Sequence, residues 1–506
     1  MDQAKETNKV LFVGSERICR QVAYVLAIEN YEIVETLTNE NYGQYQDYTI
    51  YVCEFKRKSK KLITKIWKSK KDIQYLNDIC RQIDKEHVAN RRRHRKELKS
   101  SLKGVLILTR FKLWCFEFLM HIYFVINGMF IIHNAKKCKY NKIKNFKLLR
   151  CLRYVKASVL FLYVLKAPIN KNIQCSLLET DLYISRYGDA RGCCSALIPF
   201  GNLLQEGALS EIYNNVYTRI IKLSSLNHSY CLCDISGWCP YYQEKLVNNE
   251  NLSFTNTCKV PEKITLALDQ SCNLACKSCR NKHYVMNDVA RLRTRLAAKN
   301  LQTSGFLDKT KTLIVAGQGE VFYSPYYRQL IETKLQRDNI VVLSNGTLFN
   351  EENWNWIKNK YKEIDIHISV DAASKETYSK LRCGGDFKNL MKNLTMLADL
   401  HRYNCFRKFT LSFVVQRGNF HEMIEFIDLG KSLGVDNVVF QRMGHFYSSL
   451  TKKEYLQKCL IINDEYLDYE LWQVLQDPIF KDPIVDLSGL NRYIVASDIK
   501  YGKNKC

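Results

Sequence analysis

From about residue 261 onward the chain repeats one rhythm, a short run of β-branched and aliphatic residues followed by a longer stretch with helical spacing of its apolar positions. The runs are ITLAL, TLIVAG, IVVLSNG, IDIHISVDA, FTLSFVV and VDNVVF. Short apolar runs of this kind read as buried strands, and strands that alternate with helices are joined by crossovers into a parallel sheet. Six such units predict an α/β fold with a partial (β/α)6 barrel, its site at the C-terminal strand ends where the loops gather. A chain of 506 residues, 46% apolar and 25% charged, is long enough for two or three domains with their own cores. Prolines number 7 and glycines 21, and no low-complexity tract is present, so disordered, collagen-like and solenoid classes fall away.

Twenty cysteines would suggest a disulfide framework in a small secreted domain. The opening MDQAKETNKVLFVG has no basic region followed by an apolar core and a cleavage site, so reduced thiols in a cytoplasm are expected. In that setting clustered cysteines point to metal or redox chemistry and scattered ones to packing. Cys19, Cys53, Cys80, Cys115, Cys138 and Cys151 belong to the second group. The first strand of the series runs directly into SCNLACKSC, which places Cys272, Cys276 and Cys279 in the loop after it. Three thiolates on one short loop can hold three irons of a cubane; zinc is the alternative, but no fourth Cys or His follows at a zinc-knuckle spacing. No serine nucleophile elbow and no P-loop occurs, and His367 and His445 read as core or rim residues.

CNLACKSC followed in order by AGQGE, LSNG, SVDAA and LRCGGDF resembles the radical SAM superfamily over roughly residues 258–490. The resemblance implies a [4Fe-4S] cluster on Cys272, Cys276 and Cys279 with one iron free of protein ligands. In that family S-adenosylmethionine chelates the free iron, and reductive cleavage of its sulfonium gives a 5′-deoxyadenosyl radical that removes hydrogen from unactivated carbon. It further implies that Gly317, Gly319 and Glu320 bind the methionine amino group, and that Ser369 and Asp371 contact the ribose and methionine portion. Ser344 and Asn345 end the third strand, where lining the same mouth and forming an ordinary strand-end turn are both open. Many family members carry an aromatic residue just before the third cysteine; here it is Ser278, so the adenine must be held differently.

A second resemblance lies upstream. Cys175, Gly188 and Cys193 have the spacing that opens a SPASM-type auxiliary-cluster domain, and FGNLLQEGALSEIYNN and SYCLCDISGWCPYY are similar to its later text. The resemblance implies Cys231, Cys233 and Cys239 as the remaining ligands, with Cys194 and Cys258 as spares, and one auxiliary [4Fe-4S] cluster. Two departures stand out: only Leu232 separates Cys231 from Cys233, and the domain precedes the barrel. A zinc ribbon and a decayed site are the alternatives.

Near the N-terminus KVLFVG, a helical stretch at 16–30, YEIVETL and YTIYVCEF suggest a small α/β unit similar to the first half of a Rossmann-type domain. Its fingerprint is degenerate, since Gly14 is followed by Glu16 and Cys19 where further glycines belong, with Glu35 near the place of a ribose-binding acid. Residues 56–160 hold 29 Lys and Arg against 6 Asp and Glu, a balance of +23 within a total of +25. This segment contains the run Arg91, Arg92, Arg93, Arg95 and Lys96, and the apolar stretch Leu113 to Ile132. Both flanks of that stretch are basic, so it reads either as a helix lying on an anionic membrane surface or as a buried helix beside a solvated basic neighbour.

The expected organisation is a degenerate Rossmann-like domain over 1–90, a basic segment over 91–170, a SPASM-like domain over 171–257, a radical SAM core over 258–490 and a tail over 491–506. Function is expected to be radical modification of a peptide or saccharide by a cytoplasmic enzyme, at the inner membrane face if the basic segment docks there, with an electron donor such as flavodoxin or ferredoxin. An RNA-modifying radical enzyme and a non-catalytic electron carrier are the alternatives. The basic residues lie away from the barrel, which weakens a nucleic-acid partner, and the AGQGE and SVDAA stretches weaken the carrier.

Overall fold

The computed structural model describes residues 10–13, 16–27, 32–34, 49–52, 73–75, 83, 157–170, 173, 175–204, 209–233, 260–280, 284, 286–316, 319–332, 337–444, 450–463 and 465–502. The chain divides into two compact units. Unit 1 comprises Met1–Thr180, Ala190–Cys233 and Lys245–Lys259, and unit 2 comprises Asp181–Asp189, Asp234–Glu244 and Val260–Cys506. This division runs through the stretch 171–257 that sequence spacing groups as one cluster domain.

Unit 1 contains a four-stranded sheet of β1 (Val10–Val13), β2 (Glu32–Val34), β3 (Thr49–Val52) and β4 (Ile73–Tyr75) in the order β2-β1-β3-β4, all parallel. An order that steps outward from β1 in both directions is that of a doubly wound α/β sheet. Helix α1 (Glu16–Leu26) follows β1 and buries Cys19, Val22 and Val25 completely. Cys19 therefore packs, as expected for a scattered thiol. Glu16 opens α1 and pairs with Arg20 at 2.5 Å, while Gly14 and Glu35 lie outside the described residues. Two further helices, α2 (Ala157–Lys166) and α3 (Val216–Leu226), are tied to α1 through Asn227. Its side-chain amide donates to Gln21 Oε1 at 3.0 Å and to the Val164 carbonyl at 3.1 Å, and all three partners are buried. The arginine run and the apolar stretch 113–132 fall outside the described residues; among those described, no helix is long and apolar enough to cross a membrane.

Unit 2 is built on parallel strands. All six runs read from sequence are strands: β6 (Lys263–Ala267), β7 (Thr312–Ala316), β8 (Arg337–Ser344), β9 (Tyr361–Ser369), β10 (Lys408–Val415) and β11 (Asn437–Arg442). They pair in sequence order. The sheet extends at both ends, with β5 (Asp181–Ser185) parallel to β6 and β12 (Val485–Asp486) parallel to β11. The result is an α/β fold with a large parallel sheet, as the strand and helix rhythm predicts.

Helices α4 (Asp288–Thr303), α5 (Pro325–Glu332), α6 (Glu351–Ile357), α7 (Lys375–Leu381), α8 (Phe387–Arg402) and α9 (Met423–Ser432) fill the crossovers. Several start at side-chain caps, Asn287 for α4, Asn350 for α6, Ser374 for α7 and Asp386 for α8, each accepting from an N–H of the first turn. Ile364, Ile366 and Ile368 give β9 one buried face, and α8 buries Leu390, Leu394 and Leu397. Gly346, at φ +78°, sits at this contact, where a Cβ would stand 2.6 Å from Leu390 and 2.8 Å from Ile368. The glycine of LSNG thus lets α8 close on the sheet at the level of the strand ends. His367 lies on β9 in register with Thr410, and burial first, then the ammonium of Lys408, lower its pKa to about 4. Its side chain is half-buried, in keeping with the core or rim position read from sequence; His445 is outside the described residues.

Candidate active site

The site begins where β6 ends. Asp269 is fully buried, and its carboxylate accepts from Ser324 Oγ at 2.5 Å and from the Ser271 N–H at 2.8 Å. The hydroxyl of Tyr327 on α5 donates to the Asp269 carbonyl at 3.1 Å. The chain is thereby fixed just before its first cysteine. Further along, Ala275 N–H donates to the Cys383 carbonyl at 2.9 Å and Lys277 N–H to the Leu381 carbonyl at 3.0 Å, while Lys458 Nζ donates to the Lys277 carbonyl at 3.0 Å. Cys279 and Arg280 both return their N–H groups to the Cys276 carbonyl, at 3.0 and 2.8 Å. A loop with no regular secondary structure is held along its whole length.

Cys272 lies near enough to Cys279 to feel its charge, and Cys276 near enough to feel both. Every sulfur faces a nitrogen donor. Cys272 Sγ accepts from the Leu274 N–H at 3.5 Å and from Asn345 Nδ2 at 3.8 Å; Cys276 Sγ accepts from Arg382 Nη1 at 3.7 Å, and Cys279 Sγ from Arg280 Nη2 at 3.5 Å. Burial pushes the Cys276 thiol up to about 11 against the pull of the Arg382 guanidinium, and pushes Cys272 up as well. Ligation to iron takes thiolates, and N–H groups aimed at the sulfurs stabilise that form. The donor set suits an iron–sulfur cluster, since three thiols on one loop serve three corners and leave the fourth without a protein ligand. Among the described residues no three His, Cys, Asp or Glu side chains are grouped to hold a single metal ion.

The second strand end meets this loop. Gly317 lies outside the described residues. Gly319 touches the cysteine loop itself, where a Cβ would stand 2.4 Å from the Ser271 carbonyl oxygen and 2.9 Å from that of Asp269. Glu320 N–H donates to the Ser271 carbonyl at 2.8 Å. Its carboxylate is fully buried and accepts from Ser344 Oγ and from the Asn345 N–H, both at 2.7 Å. Burial pushes the Glu320 pKa up, and those hydrogen bonds oppose the shift. Ser344 and Asn345 are thus joined to the site, and Asn345 Nδ2 also donates to Asn273 Oδ1 at 2.9 Å.

Ser369 ends β9 with its hydroxyl 3.0 Å from that of Ser412 on β10. Asp371 adopts a left-handed backbone at φ +65° and buries a carboxylate that accepts from the Val414 N–H at 2.8 Å and pairs with Arg382 at 2.9 Å. Sequence reasoning singles out neither Arg280 nor Arg382, although Arg382 stands inside the LRCGGDF stretch that carries the resemblance. It also passes over Glu422, whose carboxylate accepts from Ala373 N–H at 2.7 Å, Ser374 N–H at 3.1 Å, Ser374 Oγ at 2.6 Å and the Thr377 hydroxyl. Glu422 fixes the chain between Asp371 and α7.

Unit 1 holds Cys175, Cys193, Cys231 and Cys233. The Tyr230 hydroxyl lies 3.0 Å from the Cys175 nitrogen and 3.1 Å from its carbonyl oxygen, and Tyr230 feels the charges of both Cys175 and Cys233. A bridge between Ala196 and Cys233, with Ala196 N–H donating to the Cys193 carbonyl at 3.2 Å, brings the Cys193 turn beside Cys233. Cys231 Sγ accepts from Ser229 Oγ at 3.4 Å, and burial pushes this thiol up to about 12. Cys194 is exposed, and Cys239 and Cys258 lie outside the described residues.

Residues 270–430 match the family model of the Radical SAM superfamily. The chain carries a radical SAM domain. Within this domain fall the cysteine loop and the ends of β7, β8, β9 and β10. A curated relative, the antilisterial bacteriocin subtilosin biosynthesis protein AlbA of Bacillus subtilis (strain 168), is 26% identical over 151 residues, 29% of this chain and 33% of that protein. The chain thus matches about a third of the length of that relative. Similar solved structures include Streptococcus suis SuiB bound to precursor peptide SuiA, with 12% identity and a TM-score of 0.33 over 63% of this chain and 72% of that one. Another is SuiB bound to S-adenosylmethionine, with 15% identity and a TM-score of 0.29 over 38% and 44%.

Proposed function

We propose that this protein is a radical SAM enzyme that holds a [4Fe-4S] cluster on Cys272, Cys276 and Cys279, cleaves S-adenosylmethionine reductively and modifies a peptide. The observation that carries the reading is the cysteine loop, three thiols fixed after the first core strand with a nitrogen donor on every sulfur. When bound, such a cluster supplies one electron to the sulfonium of S-adenosylmethionine, which releases methionine and a 5′-deoxyadenosyl radical. The residues of this chain do the positioning. Asp269, Tyr327 and the backbone bonds to Cys383 and Leu381 hold the loop in one shape, so the ligands need little rearrangement on loading. Gly319 lets the Glu320 segment lie against that loop, and Glu320, Ser344 and Asn345 form one hydrogen-bonded group at the strand ends. Glu320 is a carboxylate suited to the methionine ammonium, and Ser369 and Asp371 present polar groups at the neighbouring strand end.

The peptide substrate rests on the likeness to a bacteriocin biosynthesis protein. For unit 1 we propose that Cys175, Cys193, Cys231 and Cys233 ligate one auxiliary [4Fe-4S] cluster; the contacts of Cys175 and Cys233 with Tyr230, and of the Cys193 turn with Ala196, support it. Anaerobically reconstituted protein given dithionite and S-adenosylmethionine is expected to release 5′-deoxyadenosine. Cys276→Ala removes a ligand and should abolish release, whereas continued release by that variant would sink the assignment.

A further inference from the structure

Arg382 carries an ion pair that its surroundings make costly. Its guanidinium and the Asp371 carboxylate are 9% and 2% exposed, and removing two charges from water to this extent costs several kcal/mol unless the mutual attraction recovers it. The pair is not the closed bidentate arrangement that would best recover that cost. Nη2 meets Asp371 at 2.9 Å, Nη1 points to Cys276 Sγ at 3.7 Å, and the buried Nε has no hydrogen-bond partner. The carboxylate is itself held by a left-handed backbone at Asp371, a conformation that strains any non-glycine residue, though aspartate less than most. Backbone strain, a desolvated pair and an unsatisfied donor are all sustained at the one place where a cation meets a ligand sulfur.

We infer that Arg382 is a positioning residue for the Cys276 ligand, held by Asp371, and that the balance of these two charges sets how readily a bound cluster accepts an electron. This rests on the proposed cluster reading and deepens it. Hydrogen bonds to ligand sulfurs and the local net charge are the levers by which a protein shifts a cluster's reduction potential. Reduction adds one negative charge to the cluster, and a guanidinium next to the Cys276 sulfur stabilises that charge. The carboxylate on the far side of the guanidinium offsets part of the gain, so the two residues act with opposite sign.

The test is a redox titration of the reconstituted full chain followed by electron paramagnetic resonance, without S-adenosylmethionine, each electron coming from the titrant dithionite. The signal that Cys276→Ala lacks identifies the cluster in question. Arg382→Gln should shift the midpoint to more negative potential, with Arg382→Lys between it and the wild type. Asp371→Asn should shift it to less negative potential. Asparagine accepts the left-handed backbone and can still accept from Val414 N–H, so this variant keeps the test decisive even where Arg382→Gln loads no cluster. An unchanged midpoint in Asp371→Asn, or shifts of the same sign in Asp371→Asn and Arg382→Gln, overturns the inference. A wild-type chain that takes up no iron overturns the proposed function instead.

Discussion

Glu422 shows how one carboxylate can fix the chain beside Asp371. Burial alone would raise its pKa, yet the hydrogen bonds from Ser374, Thr377 and Ala373 outweigh it and hold the carboxyl below its ordinary 4.5. With the folded value below the unfolded one, the stability from this group is fully present above about pH 4.5 and is lost as pH falls through the folded value. Glu422→Gln keeps one acceptor oxygen and loses the charge, so it should destabilise the protein by about 1–3 kcal/mol at neutral pH. Thermal unfolding followed from pH 7 into the acid range is expected to show the gap to wild type closing; a gap of constant size would contradict the account. At this scale the sequence is legible where the chemistry is local. Cys272, Cys276 and Cys279 could be singled out because their spacing is itself the signal, and Glu320 because it follows the second strand of the series; Ser344 and Asn345, at the end of the third, stayed open between site and turn. Glu422 and Arg382 could not, since Glu422 meets partners 45 to 49 residues upstream and Arg382 meets a sulfur 106 residues away.

The same contrast holds for elements. Strands β6 to β11 are legible because each is a short apolar run in a regular alternation with helices, and parallel pairing in sequence order follows from that alternation. Strand β5 breaks the pattern. DLYIS can be read as a strand by composition, but its partner β6 begins about 80 residues later, beyond a cysteine-bearing segment with a different signature. Pairing over such a distance has no local mark, and cysteine spacing groups these residues with 171–257 instead. Ile184 of β5 is fully buried, in register with Leu266 of β6. Ile184→Ala should therefore cost about 2–5 kcal/mol of stability. Hydrogen exchange at Lys263–Ala267 is the sensitive readout, because those amides share the ladder with β5. Faster exchange there is expected, and exchange confined to residues 181–185 would show that β5 adds nothing to the sheet.

For the whole molecule the charge and the cysteines separate into different questions. Of the net +25, residues 56–160 account for +23, and most of that segment lies outside the described residues, so the radical SAM domain stands in a part of the chain close to neutral balance. Charge therefore says little about the chemistry at Cys272, Cys276 and Cys279, whereas iron speaks to it directly. One cluster on unit 2 requires about four irons per chain, and a second on the unit 1 cysteines raises this to about eight. The two sites draw on separate cysteines, so single substitutions can resolve them. Iron and sulfide analysis of the reconstituted protein should give about eight irons for the wild type and about four for either Cys175→Ala or Cys276→Ala. Only Cys276→Ala should lose the resonance signal that responds to S-adenosylmethionine. A wild-type content of about four irons with about one zinc would instead assign unit 1 a zinc ribbon, since four thiolates at a single ion satisfy that metal without a cluster. Four irons and no zinc would leave Cys175, Cys193, Cys231 and Cys233 as thiols without a metal, and the auxiliary cluster would be withdrawn while the radical SAM site stood.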